Sequence, residues 1–352
     1  MRANPDSKTK GWLVHASLLL TGDGHTVGLL GQDRWIRDKA GHGRKHDRRQ
    51  RPYSEKESYK WEAETRRCAD RLGDAMSRTV VVNDRESDVY EYLQFMIHND
   101  YRFVVRTQTN RCLSSSEECI FSHLSECPVL GHTDVNISGR GGRKARIARV
   151  TLRADCVSLK PPKRFVDQRE LEEIQIWAVR VQEENPPEGE EALCWVLWTS
   201  EPAKTFSDTL EIKRLYGLRW RIEEYFKSWK SGCGVKYLRM PYRNNLQRMA
   251  AILAFVAVRL LQLKEWSADE PESPCTHLLS ENEWKCLWYK NEKGKPFPNS
   301  PPTTRWAFYA VAKLGGWIDT RRTGRVGWEA LWVGWARLTD MIETIQFLKE
   351  KL

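Results

Sequence analysis

The sequence predicts an α/β protein with an all-β segment in its middle and tryptophan-rich helices at its end. Three observations predict it. Short apolar runs bounded by turn residues alternate with a helical stretch over the first hundred residues. From Gln108 to Pro202 only short β-like runs occur, separated by basic or proline-rich turns such as Pro161-Pro-Lys163 and Pro186-Pro187. From Asp208 onward the helical stretches are long and poor in proline.

Each element has a local reason. Leu13–Leu20 and Thr26–Leu30 are apolar runs joined by Thr21-Gly-Asp-Gly24, which reads as a hairpin. Arg37–Pro52 is polar and basic with two glycines and reads as a loop. Ser54–Met76 reads as a helix, and Thr79–Val82 as a short buried strand with Asp84 just after it. A helix from Glu86 to about His98 and a strand from Arg102 to Thr107 follow. Arg146–Leu152, Ile174–Val181 and Leu193–Thr199 are the clearest runs of the β segment. Asp208–Ser231 holds no proline and is followed by the stop signals Gly232 and Gly234, so it reads as one helix. A second helix covers about Leu246–Trp266. The expected organisation is a core part at 1–107, a β insertion at 108–202, the rest of the core at 203–266, a linker at 267–302 and a helical region at 303–352. A short helix around Glu281–Tyr289 is the only one expected inside the linker.

Composition narrows the class. The chain has 352 residues, 30% charged and 40% apolar, which fits a globular protein rather than a disordered one. Its net charge of +10 favours a polyanionic partner, although ordinary solubility needs no other cause for it. Tryptophans, sixteen of them, either stack on bases or fill the core. No apolar run of membrane-spanning length and no signal region is seen, and nine cysteines without paired spacing suit a reducing cytoplasm. Cys112, Cys119, His123 and Cys127 lie close together, but their spacing matches no usual zinc pattern.

One window carries chemistry. On an unbroken helix with Tyr216 at zero, Arg219 falls at about −60°, Glu223 at about −20°, Lys227 at about +20° and Lys230 at about −40°. A phenol, a carboxylate and three cations then share a face. That set suits metal-assisted work on phosphate, the carboxylate holding the ion and the cations the non-reacting phosphates. A solvated face of Glu–Lys and Arg–Glu pairs has the same spacing. Asp84, likewise, is placed as a metal ligand at a strand end or as the cap of the next helix.

The spacing Y-x2-R-x3-E-x6-K, together with the block Asn83-Asp-Arg-Glu-Ser-Asp88, resembles the signature of bacterial cut-and-paste insertion-sequence transposases of the DDE class. Within that class the chain is similar to the branch that includes the enzyme of the composite kanamycin-resistance transposon. Smaller matches run collinearly from Gly11–His15 through Trp195–Pro202 and Phe255–Leu263 to Gly315–Trp335. The resemblance implies a ribonuclease-H-like core with an all-β insertion and a C-terminal helical dimerisation domain. It implies Mg²⁺, with Mn²⁺ able to substitute, held by Asp84 and Glu223 as catalytic carboxylates. Such ions activate water, and later a DNA 3′-hydroxyl, for in-line attack on a phosphodiester. Tyr216, Arg219, Lys227, Lys230 and Arg106 would contact DNA phosphates, and Trp195 would stack on a flipped base. Trp195 fits the core of the insertion equally well. The partners implied are double-stranded transposon-end DNA, target DNA and a second copy joined through the C-terminal helices, with no membrane. Trp328, Leu331, Trp332 and Trp335 would form the apolar face of such a contact, or pack within one chain.

The family's reaction uses three carboxylates, the first at the tip of a strand upstream of the hairpin. Only ten residues precede Gly11, and Asp6, Asp23 and Asp33 are misplaced for that role. The expectation is an N-terminally truncated transposase without its first core strand, impaired in catalysis and poorly soluble. The alternative is a non-catalytic dimerising inhibitor of an intact transposase.

Overall fold

In this computed structural model the described residues are 12–36, 51–114, 118–137, 139, 144–162 and 170–351. Asp6 and nearly all of the basic loop expected at 37–52 lie outside them. The chain divides into two units. The first comprises residues up to His15 and Asp33–Arg219, and the second Ala16–Gln32 and Trp220–Leu352.

The hairpin forms as expected. Strand β1 (Leu13–Leu20) pairs with β2 (Thr26–Trp35) in a two-stranded sheet of its own.

The first unit is built on a six-stranded mixed sheet. Its strands are β3 (Val80–Asn83), β4 (Arg102–Arg106), β5 (Gly131–Ile137), β6 (Arg146–Leu159), β7 (Ile174–Glu183) and β8 (Cys194–Thr199), in the order β3-β4-β8-β7-β6-β5. Among the described residues of this sheet only β3 and β4 pair in parallel, Asn83 lying opposite Val105. The other pairs are antiparallel. The β-rich middle segment therefore extends the sheet that β3 and β4 begin. Among the described residues β3 forms one edge, and all four of its residues are half-buried.

Two-residue alternation gives the sheet two apolar faces. Phe103, Val105, Val196 and Trp198 point to one, with helix α2 (Tyr90–His98) and helix α3 (Ile120–Glu126) packed there. Val104, Val179, Val181 and Leu197 point to the other, under helix α4 (Phe206–Leu218) through Ile212 and Tyr216. Helix α1 (Lys60–Leu72) adds Trp61 to the first cluster. The expected helix Ser54–Met76 is α1 with 3₁₀ turns on both sides, and that from Glu86 is a 3₁₀ turn, Arg85–Ser87, followed by α2.

The helix expected over Asp208–Ser231 is a broken one. It divides into α4, begun by a Thr205–Asp208 capping box, and α5 (Trp220–Lys227). At the join the Arg219 N–H bonds the Tyr216 carbonyl at 3.1 Å, a tight three-residue step. Beyond Lys227 a π-type turn, Ser228–Gly232, widens the spiral, closed by Cys233 N–H to Ser228 O at 2.8 Å. The boundary between the units falls at the same join.

The second unit is helical: α5, α6 (Arg243–Asp269), α7 (Glu281–Asn291), α8 (Thr304–Leu314) and α9 (Trp328–Lys351). By length and composition α6 is apolar enough to cross a membrane, yet it buries Leu253, Ala257, Leu260, Leu261 and Leu263 within the protein. It also buries the Glu265 carboxylate, which accepts bonds from Thr26 N–H (2.8 Å) and Thr26 O–H (2.9 Å). Helices α8 and α9 touch backbone to backbone, since a Cβ at Gly334 would overlap the Val311 carbonyl and one at Gly315 the Ala330 carbonyl. The α9 face that holds Leu331, Gly334 and Leu338 is thus buried inside the chain, and Trp328, Trp332 and Trp335 are half-buried.

Candidate active site

In the first unit five of the expected residues gather at one end of the sheet. β3 and β4 run parallel and both end there, while antiparallel β8 begins there. Asp84 follows β3 directly, Arg106 closes β4 and Trp195 is the second residue of β8. The Arg106 guanidinium donates to the Cys194 carbonyl at 3.3 Å. Trp195 lies edge-on to the Tyr216 ring, centroids 5.2 Å apart, and the Arg219 guanidinium is 5.9 Å from the same ring. Tyr216 is buried, whereas Trp195 and Arg219 are half-buried.

Asp84 is positioned by its neighbours. Asn83 donates to the Tyr92 hydroxyl at 2.9 Å, and that hydroxyl shares a 2.9 Å bond with Thr65, so the end of β3 is tied to α1 and α2. Burial pushes the Tyr92 phenol well above its ordinary range, so it stays neutral. The Asp84 carboxylate then caps the 3₁₀ turn, Oδ1 accepting the Glu86 N–H at 2.8 Å. Among the described residues no hydrogen bond engages Oδ2. Cap and ligand are therefore compatible roles, one for each oxygen.

Asp88, the other aspartate of the same block, is used up by the fold, a role with no local signature in the chain. Its side chain is fully buried. Oδ2 accepts the N–H groups of Gln108 and Thr109, both at 2.8 Å. Oδ1 accepts two N–H groups of Arg111, at 2.7 and 3.1 Å, and the indole N–H of Trp198 at 3.2 Å. These partners lie 20–110 residues away, beyond any local pattern.

In the second unit Glu223, Lys227 and Lys230 lie on α5 and the π-type turn. Glu223 and Lys230 are half-buried and feel one another. Burial holds the Lys230 ammonium below its ordinary range, with Glu223 partly opposing that. Lys230 also sits 4.4 Å from the Phe226 ring centroid, and exposed Lys227 sits 5.2 Å from that of Trp220. The adjacent Glu224 is structural. It takes Lys264 Nζ at 2.5 Å and Arg221 at 3.3 Å, and Arg221 also reaches Glu265 and Asp269. Burial alone would raise its pKa, but Lys264 and Arg221 hold it below the ordinary 4.5.

A mixed sheet with helices packed on both of its faces is compatible with a ribonuclease-H-like domain of the DDE type. The chain matches the family model of the transposase DDE domain over residues 45–259, more than half its length, and it belongs to that family. Transposition of DNA is the activity of the class.

Proposed function

We propose that this chain carries out metal-dependent phosphodiester hydrolysis and strand transfer at transposon ends, with Asp84 and Glu223 as its metal-holding carboxylates. The observation that carries the reading is the division of labour among acids. In the Asn83–Asp88 block Asp88 is consumed by the fold, while Asp84 stands at the strand end with Oδ1 on the Glu86 N–H and Oδ2 turned to no donor among the described residues, and Glu223 lies among cations on its helix.

The donors at Asp84 and Glu223 are carboxylate oxygens only, which suits Mg²⁺, or Mn²⁺ in its place, over softer ions. When bound, such an ion supplies Lewis-acid activation and charge neutralisation at the phosphate. Asp84 presents Oδ2 while Oδ1 stays on the Glu86 N–H, so the ligand is held by its own cap. Arg106, Arg219, Lys227 and Lys230 hold the phosphates of double-stranded transposon-end DNA and of target DNA, and Tyr216 adds a hydroxyl. Trp195 stacks on a base beside the cut. Two copies work together through the C-terminal helices, in the cytoplasm.

The test is cleavage of a DNA duplex carrying the parent element's ends, in Mg²⁺ or Mn²⁺. Cleavage that Glu223→Gln and Asp84→Asn each abolish supports the assignment. Cleavage that survives both overturns it. Failure to cleave, combined with inhibition of an intact relative in the same assay, would make the chain a dimerising inhibitor instead.

A further inference from the structure

The strongest unassigned feature is a cluster of three different metal-ligating side chains in the first unit, remote in sequence from Asp84. His123 and Cys127 stand four residues apart on α3 and its C-terminal boundary, hence on one helix face. Asp155 reaches them from β6. The ligand atoms of all three lie within 4.8 Å of one another. Sequence spacing grouped His123 and Cys127 with Cys112 and Cys119. The fold separates these into two groups, because Cys112 and Cys119 face each other across an isolated β-bridge, sulfurs 3.6 Å apart.

We propose that His123 Nε2, Cys127 Sγ and Asp155 Oδ2 form a binding site for a borderline-soft divalent cation of the zinc class. Three features point to a built site rather than a chance ion pair. Asp155 is aimed, since its Oδ1 accepts the Cys156 N–H at 2.8 Å and its Oδ2 is left toward His123, 2.7 Å from Nε2. The opposite ring nitrogen of His123 faces the Glu118 carboxylate at 3.9 Å, the outer partner that commonly orients a metal-bound imidazole. Arg153, two residues before Asp155 on the same face of β6, donates to the carbonyls of Cys127 and Ser125 and so holds the end of α3 against the strand.

The donor set selects the ion. One sulfur, one imidazole nitrogen and one carboxylate oxygen suit zinc, with water completing a tetrahedron, and do not suit Mg²⁺. Ligand atoms of a tetrahedral zinc site stand about 3.3–3.8 Å apart, from metal–ligand distances of about 2.0–2.3 Å. The present His123–Asp155 separation is that of a hydrogen bond, so the ion takes the place of its proton with an opening of about 1 Å or less. The cation would pin α3 to the sheet.

The probe is Co²⁺ added to the reduced, chelator-stripped full chain, with Zn²⁺ as competitor. The expected result is one equivalent of tightly bound Co²⁺ with a thiolate-to-cobalt absorption band, bleached by Zn²⁺. Cys127→Ser should abolish the band, Asp155→Asn and His123→Asn should weaken binding at least about tenfold, and Glu118→Gln up to about tenfold. Cys112→Ser should leave the band unchanged. Circular dichroism selects variants that keep the wild-type fold, and half-buried His123 and Asp155 decide the matter if Cys127→Ser does not fold. No band in the wild-type chain, a band that survives Cys127→Ser, or one lost in Cys112→Ser overturns the site.

Discussion

The end of the sheet in the first unit and the short helix in the second solve the same problem differently. Each presents two carboxylates close in sequence, Asp84 with Asp88 and Glu223 with Glu224. In the sheet unit the structural acid is fully buried and receives five donors from backbone, guanidinium and indole. In the helical unit the structural acid is partly exposed and relies on two flexible cations. The sheet fixes its acid with groups that cannot move away, whereas the helix does so with side chains that solvent can screen. Damage to the first should unmake the fold, and damage to the second should soften it.

The largest effects should fall on activity and spare stability. Asp84→Asn keeps an oxygen for the Glu86 N–H and removes only the charge. End cleavage should fall at least about 10³-fold, roughly 4 kcal/mol of barrier, with the melting temperature within a degree or two. Glu223→Gln should lower end cleavage by a similar factor. If the Asp84 variant melts early in step with its loss of activity, the separation of structural from chemical acids collapses.

Next in size is Asp88→Asn. It leaves Arg111, a cation with an 11% exposed side chain, without its anion and turns one accepting oxygen into a donor. Removing one partner of a buried pair costs about 3–5 kcal/mol, visible in urea unfolding. A loss below about 1 kcal/mol would show that the five donors are dispensable.

Glu224→Gln should cost less, about 1–2 kcal/mol, because two charge-assisted bonds go from a site open to water. The pH dependence distinguishes it further. Glu224 has a folded pKa below its ordinary 4.5, so its contribution is complete above that pH and disappears as pH falls through the folded value. The gap between wild type and Glu224→Gln should therefore close on acidification. A gap that persists well below pH 4 would mean that packing, not charge, explains it. His15 slopes the same way for another reason. Burial against Trp61 lowers its pKa from 6.5 to about 4, so the unfolded chain takes up the proton first. Stability should fall as pH drops from 6.5 toward 4, by up to about 3 kcal/mol, and a His15→Gln variant should lack that slope.

Local pattern made much of this legible. The hairpin, the β3 strand just before Asp84, the β4 strand and β6, β7 and β8 follow from apolar runs and turn residues, although β2 and β6 run on to Trp35 and Leu159, beyond the runs that mark them, and β5 carried no clear signal. The window from Tyr216 to Lys230 marked the correct helical region but assumed one regular spiral. A tight step at Arg219 and a wide one after Lys227 break that regularity, and both come from backbone bonds that no side-chain spacing encodes. The roles of Asp88 and Asp155 were illegible for a different reason. Asp88 is defined by Arg111 and Trp198, and Asp155 by an α3 histidine, all contacts made only when the sheet assembles.

The smallest predicted effect concerns Trp195. Its ring is half-buried and edge-on to Tyr216, a contact that contributes about 0.5–1.5 kcal/mol beyond its burial. Trp195→Phe retains an aromatic edge and should cost the first unit about 1 kcal/mol or less. The informative quantity is DNA affinity measured on the same variant. A tryptophan that stacks on a base contributes about 1–3 kcal/mol to binding, so the smaller ring should weaken end binding several-fold while stability hardly moves. Packing alone predicts the reverse, a small stability loss with unchanged affinity. The five residues at the sheet end include one carboxylate, two guanidiniums and two aromatic rings. Only the second outcome would leave Trp195 as scaffold beneath Tyr216, with the phosphate contacts resting on Arg106 and Arg219.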